Sequence, residues 1–229
     1  MQKHAEFSVV PEGKGFTVCR EGKAMRTPRD VPLTVSTQAL ALAIAQEFDG
    51  QGTKMDLRKM PFTQMALTSI DISAPRREDV LGGIMRFGMN ELVCQRATSP
   101  ADLVAEQNEI WQPYLDWCKS TFNIDLRTGS GIVPFEQKPE ALGTLREFVE
   151  TLDAFCLTGL SESCNTLSSL VLGLALMTGR SDASTVFDAA ELELLWQNKK
   201  WGDDPALQNR YMGIKRDLES CANWFALLK

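Results

Sequence analysis

From Met60 to the end of the chain, apolar residues recur almost everywhere at the spacing of an α-helix. The clearest case is the last segment, where spacings of four and three residues predict one long helix with an apolar seam formed by Leu207, Tyr211, Ile214, Leu218, Cys221, Phe225 and Leu228. Asp204 and Pro205 mark its start. The stretch 165–178 is apolar nearly all round and predicts a buried central helix. Residues 99–102 predict the start of a further helix, which Pro113 should kink or interrupt.

The first 35 residues instead favour β-structure. Short apolar runs between Gly- and Pro-containing turns predict strands at 7–10, 16–20, 23–27 and 32–35. Ser36 or Thr37 then caps a helix carrying Leu40, Ile44 and Phe48. The predicted fold class is therefore α+β. A small, β-rich α+β N-terminal domain over residues 1–75 precedes a larger all-helical C-terminal domain over residues 76–229.

The sequence lacks the residues that several classes of enzyme and binding site require. The single histidine, His4, lies near the N-terminus, so a Ser-His-Asp or Cys-His system has no base and a histidine-rich metal site has no ligands. No phosphate-binding P-loop motif occurs, and the short glycine run at 129–131 fits a turn better than a dinucleotide loop. We expect no catalytic residues, no metal and no cofactor.

The net charge and the distribution of cysteines indicate which partners and which cellular compartment to expect. The net charge is −6 without a cluster of Lys and Arg, which argues against nucleic acid. The six cysteines are dispersed and fit reduced core thiols. The most apolar run, 170–177, is far shorter than the roughly 20 residues of a membrane-spanning helix. We expect a soluble intracellular protein without membrane insertion.

The acids that carry most interest lie in the stretch 188–197 and are Asp188, Glu191 and Glu193. Glu193 is flanked by leucines, so it is either a solvated or ion-paired side chain at the edge of an apolar face, or an exposed contact on a binding surface. Trp201 to Asp203 form either a structural corner between two helices or a partner contact. If acids such as Asp71, Glu91 or Glu193 converged in a concave pocket, the chain would instead be a small-molecule enzyme or ligand-binding protein using carboxylates. A purely structural subunit is a third alternative.

Seven motifs in chain order resemble those of one family: residues 22–28 (GKAMRTP), 42–51 (LAIAQEFDGQ), 60–63 (MPFT) with 70–71 (ID), 91–97 (ELVCQRA), 111–117 (WQPYLDW), 128–137 in outline, and 192–197 (LELLWQ) followed by Trp201-Gly202. The family is that of the chaperones for assembly of the ATP synthase F1 sector, and within it the member that handles the α subunit. No single motif is specific for this family, but the occurrence of all seven in the same order is. Leu194 stands where the family has an acid, which leaves Glu193 as the one carboxylate matching the family's important acid.

The resemblance implies a small two-layer α/β N-terminal domain followed by a larger all-helical C-terminal domain, and a protein that catalyses no reaction. It implies transient binding of free α subunit, which exposes aggregation-prone surface until it pairs with β. The residues expected to contact this partner are Glu193, Trp196, Gln197, Trp201 and Asp203. We further expect a monomer in a bacterial cytoplasm, because the chain begins with methionine without an Arg/Ser-rich presequence, or in the mitochondrial matrix of a eukaryote.

Overall fold

An antiparallel sheet forms at the N-terminal end of the chain in the computed structural model, which describes residues 6–51, 55–131, 135–202 and 205–229. Its strands are β1 (Phe7–Glu12), β2 (Gly15–Arg20), β3 (Lys23–Ala24) and β4 (Thr34–Val35). β2 pairs with all three others, and its register with β1 runs from Phe7 opposite Arg20 to Glu12 opposite Gly15. Gly13 turns this hairpin at a φ of 60°, which a residue without Cβ adopts at little cost.

Helix α1 (Gln38–Asp49) forms the second layer on this sheet. Thr37 begins it as predicted, because its hydroxyl accepts a hydrogen bond from the Leu40 backbone N–H. The helix packs against β1 and β2 and buries Leu40, Ile44 and Phe48. Phe48 also stacks on Phe7, with ring centroids 5.3 Å apart. The four predicted strands and the first helix are thus present, although the third and fourth strands are shorter than predicted.

The rest of the chain is mostly helical. The remaining helices are α2 (Pro61–Thr68), α3 (Arg77–Met89), α4 (Ala101–Phe122), α5 (Pro139–Glu150), α6 (Ala154–Leu167), α7 (Leu170–Thr178), α8 (Ala183–Ala190), α9 (Leu192–Trp201) and α10 (Pro205–Leu227). The predicted α+β class, with a small strand-containing N-terminal region before a larger helical one, is confirmed. Two further strands, β5 (Gln95–Arg96) and β6 (Gly129–Ser130), form a short parallel pair within the helical region.

The chain divides into two compact units. The first contains residues 1–80, 153–159 and 223–229, and the second contains residues 81–152 and 160–222. In the first unit, the indole N–H of Trp224 donates to the Phe155 carbonyl at 3.0 Å, which holds the end of the chain. In the second unit, α7 is buried along nearly its whole length, as its apolar sequence predicts. The domain boundary expected near residue 75 stays a prediction.

Two predicted helices differ in detail. The single helix expected over 165–178 is broken at Ser168, which adopts a φ of 53°, because Ser169 starts α7 anew by accepting a hydrogen bond from the Leu172 N–H. Helix α4 instead continues through Pro113. Residues 109 and 113 are both exposed, so the carbonyl that loses its intrahelical partner lies on the solvated side of the helix. The predicted turn at 129–131 contains β6, followed by Gly131 at a φ of 87°.

Candidate functional site

Helix α9 carries four of the five residues expected to contact a partner. It follows α8 with almost no loop, since Glu191 ends one helix and precedes the other. Leu192 and Trp196 are buried one turn apart and fix which face of α9 points outward. Glu193 and Gln197, also one turn apart, lie on the exposed side. The fifth residue, Asp203, lies outside the described residues.

Glu193 is held by an amide rather than by a cation. Its Oε1 accepts a hydrogen bond from Nε2 of Gln107 on α4 at 2.7 Å, and Gln107 itself is fully buried. The Gln107 side-chain oxygen accepts from the Ala97 backbone N–H at 2.8 Å, which fixes the amide's orientation. Among the described residues, no Lys or Arg forms an ion pair with Glu193. The carboxylate is therefore positioned while its charge stays available to a partner.

The two tryptophans of α9 differ sharply in exposure. Trp196 is 7% exposed, whereas Trp201 is 75% exposed. Their rings meet edge to face, with centroids 5.8 Å apart and planes at 88°. This contact orients Trp201 without covering it. Of the two interpretations left open for Trp201, its exposure favours a contact surface over a purely structural corner.

Two ion pairs tie the last turn of α9 to α4. Lys199 Nζ lies 2.8 Å from Glu106, and Lys200 Nζ lies 2.6 Å from Asp102. Lys200 also stands over the Trp196 ring at 5.3 Å from its centroid. Both pairs are exposed and screened by solvent, so we assign them an effect on the position of α9 rather than on stability.

Two adjoining clefts run along α4 beside α8 and α9. The larger, about 650 Å³, is lined by Glu106, Ile110, Asp188, Leu192, Leu195, Asn198, Lys199 and Gly202. The smaller, about 440 Å³, is lined by Ile110, Pro113, Tyr114, Arg180, Ser181, Thr185, Asp188 and Ala189. Ile110 and Asp188 line both, so the clefts form one continuous surface, called below the α4–α9 groove.

Sequence reasoning missed Gln107, and it named Asp188 among the acids of the stretch 188–197 without giving it a role. Gln107 lies on the buried face of α4 between Leu103 and Trp111, and a polar residue at a core position is the signal that predicts such a bond. The Trp111 indole N–H donates to the Ala189 carbonyl at 2.8 Å, which anchors the last turn of α8 on α4. Asp188 carries no comparable sequence signal, because a single exposed acid on a helix is ordinary.

The acids that would serve a carboxylate enzyme each accept hydrogen bonds from different parts of the structure. Asp71 accepts from the Thr27 hydroxyl at 2.7 Å and lies in the first unit. Glu91 accepts from the backbone N–H groups of Leu170 and Val171 at 2.9 and 3.1 Å, and from the Ser169 hydroxyl. Burial raises the pKa of Glu91 to about 7, although these hydrogen bonds partly oppose the shift.

The cysteines are all free, and all but the half-buried Cys156 are buried. Burial raises the pKa of Cys118 to about 12 and that of Cys221 to about 11, which disfavours the reactive thiolate. Over the described ranges, no group of three or more His, Cys, Asp or Glu side chains is placed to hold a metal ion. Within the same ranges, no helix combines the length and apolar character needed to cross a membrane.

Known proteins match this chain in sequence. A family model described as ATP12 chaperone protein matches residues 3–119. The mitochondrial protein atp12 of Schizosaccharomyces pombe is 22% identical over an alignment of 191 residues, which covers 79% of this chain and 64% of that protein. The chain thus spans less than two thirds of this relative's length.

Solved structures match the whole fold. A point mutant of Paracoccus denitrificans Atp12p has a TM-score of 0.95 at 32% identity, covering 100% of this chain and 97% of that one. Atp12 from Paracoccus denitrificans itself gives 0.94 at 32% identity, covering 98% and 97%. A protein from Agrobacterium tumefaciens gives 0.91 at 29% identity, covering 99% and 85%.

Proposed function

Because the chain belongs to the ATP12 chaperone family, we propose that it assists assembly of the ATP synthase F1 sector by binding free α subunit. In this role it covers the surface that α will later present to β and so prevents aggregation. Release then follows from competition by β. The exchange needs no nucleotide, since one protein surface replaces another.

The observation that carries this proposal is the exposed face of α9. Glu193 offers a carboxylate without a Lys or Arg partner among the described residues, and Trp201 offers a large aromatic side chain that is 75% exposed. Tryptophan beside charged residues is typical of protein contact surfaces, in which a few residues carry most of the binding energy. We propose that Glu193, Gln197 and Trp201 touch the partner directly. Trp196 supports them from beneath, and Asp203 follows on the same segment.

The proposed role is binding without catalysis. Asp71, Glu91 and Glu193 each accept hydrogen bonds from different groups, which supports structural roles for these carboxylates. We propose that the chain acts as a monomer and contacts α only transiently. Its proposed compartment is the bacterial cytoplasm or the mitochondrial matrix.

An aggregation assay tests the proposal. Denatured ATP synthase α subunit is diluted into buffer with or without the purified chain, and light scattering is followed at micromolar concentrations. We expect the chain to suppress scattering and to co-elute with α in size-exclusion chromatography. Equal scattering with the chain and with an unrelated acidic protein of similar size, and no co-elution, would contradict the proposal.

A further inference from the structure

The α4–α9 groove combines an apolar floor with one carboxylate, that of Asp188, for which the described residues provide no ion pair. Leu192 is buried, while Ile110 and Leu195 are half-buried and line the larger cleft. The half-buried side chains of Ile110 and Leu195 give the groove an apolar surface that a partner's side chain can cover. Burying one aliphatic side chain there contributes favourably to binding in proportion to the apolar area removed from water.

The charges around the groove are mostly neutralised in pairs. Asp102 pairs with Lys200, Glu106 with Lys199, and Glu191 with Arg210. Asp188 differs: in the part of the chain that the structure describes, it has no ion pair, although it lines both clefts. The centre of the groove therefore carries one carboxylate whose charge no described cation neutralises by direct pairing.

Arg180 lies in the smaller cleft, and other groups engage its guanidinium. It stands 5.3 Å from the centre of the Trp117 ring and donates to the Pro113 carbonyl at 3.4 Å. A second cation near this residue would be repelled. A basic partner side chain is thus favoured at Asp188 and disfavoured toward Arg180 and Lys199.

We propose that the α4–α9 groove docks a segment of the partner that carries a Lys or Arg next to an apolar side chain. The cation pairs with Asp188, and the apolar side chain packs over Ile110, Leu192 and Leu195. This inference rests on the proposed function, since the partner is taken to be the ATP synthase α subunit. An acidic segment would meet the Asp188 carboxylate with like charge and is disfavoured there.

A charge-reversal pair tests the docking site. Asp188→Lys places a cation at the centre of the groove, and Asp116→Lys is the matched control, because Asp116 is an exposed acid on α4 that lines neither cleft. Binding of each variant to free α subunit is measured, with circular dichroism and thermal unfolding to verify the fold. We expect about 10-fold or greater weakening for Asp188→Lys and less than about 2-fold for Asp116→Lys.

The outcomes separate the two proposals. If the wild-type chain binds α and both variants weaken binding equally, the groove proposal is wrong while the proposed function stands. If the wild-type chain does not bind α, the proposed function itself fails. If Asp188→Lys changes only self-association in sedimentation, the groove binds a second copy of this chain and the proposal is overturned.

An array of overlapping α-subunit peptides identifies the docked segment. Peptides with a Lys or Arg beside an apolar residue should bind the wild-type chain and the Asp116→Lys variant, but not the Asp188→Lys variant. Binding confined to acidic peptides, or binding that Asp188→Lys leaves unchanged, would contradict the inference. The neutral variant Asp188→Asn should give an intermediate loss, because it removes attraction without adding repulsion.

Discussion

Gln107 and Glu193 are joined by a 2.7 Å hydrogen bond between two helices, α4 and α9, and the same Gln107 side chain accepts from the Ala97 N–H. A fully buried amide thus serves two partners at once. Its neutrality matters, because it holds the Glu193 carboxylate in place without cancelling its charge. A Lys or Arg in the same position would orient Glu193 equally well but would compete with a partner's cation.

Replacing Gln107 tests whether this bond is structural. Gln107→Leu leaves the Ala97 N–H without its acceptor and frees Glu193, so we expect a loss of about 1–3 kcal/mol in the free energy of unfolding. Urea denaturation measures the loss. Gln112→Leu, on the exposed side of the same helix, should stay within about 0.5 kcal/mol of wild type. Equal effects of the two substitutions would refute the role given to Gln107.

The two α9 tryptophans should separate stability from binding. Trp196→Ala removes a buried ring and should cost about 3 kcal/mol of unfolding free energy. Trp201→Ala removes an exposed ring and only an edge-to-face contact, so we expect about 1 kcal/mol or less. Thermal and urea unfolding measure both, and capture of α subunit should fall for Trp201→Ala at nearly wild-type stability. Unchanged capture would remove Trp201 from the contact surface.

Glu91 should make stability depend on pH. Burial raises its folded-state pKa to about 7 from an ordinary value of 4.5. The folded state therefore binds more protons between these values, and the contribution of Glu91 to stability is lost as pH rises through 7. From pH 5.5 to pH 8 this loss amounts to about 2 kcal/mol.

Glu91→Gln is the control for that titration, because it mimics the protonated acid at every pH. Urea unfolding at several pH values should show the wild type losing stability relative to Glu91→Gln as pH rises. If the stability difference between the two proteins is independent of pH, Glu91 does not titrate in this range.

Two helical glycines should respond in opposite directions to alanine. A Cβ on Gly159 would lie 2.7 Å from both Phe225 Cε1 and Trp224 Cδ1, so Gly159→Ala should destabilise by about 1–3 kcal/mol. A Cβ on Gly213 in α10 would meet no described atom within 4 Å, so Gly213→Ala should stabilise by about 0.5–1 kcal/mol. Thermal unfolding measures both, and the same sign for both variants would contradict the packing described at Gly159.

The sequence predicts the local elements well where one pattern dominates. The cap at Thr37, the strands around Val18 and the seam of α10 all follow from spacing and turn residues. The break at Ser168 does not, because the apolar stretch 165–178 hides the cap that Ser169 provides and the Glu91 carboxylate reinforces. That carboxylate is 78 residues distant along the chain from Ser169, so no local pattern contains it.

The site is predicted only in part for the same reason. The motif at 192–197 identifies Glu193 and Trp196, but not which of the two is exposed or what bonds to Glu193. The partner of Glu193 comes from α4, 86 residues earlier in the chain. The groove at Asp188 depends on how three helices pack together, and helical periodicity alone does not fix that arrangement.

The affinity of the chain for free ATP synthase α subunit, compared between wild type and Glu193→Lys, tests the central claim most directly. Glu219→Lys is the matched control, since Glu219 is an exposed acid on a different helix, α10. We predict a micromolar or tighter complex for wild type and for Glu219→Lys, and about 10-fold weaker binding for Glu193→Lys with unchanged thermal unfolding. No complex with wild type at micromolar concentrations, or equal affinity for wild type and Glu193→Lys, would contradict the account.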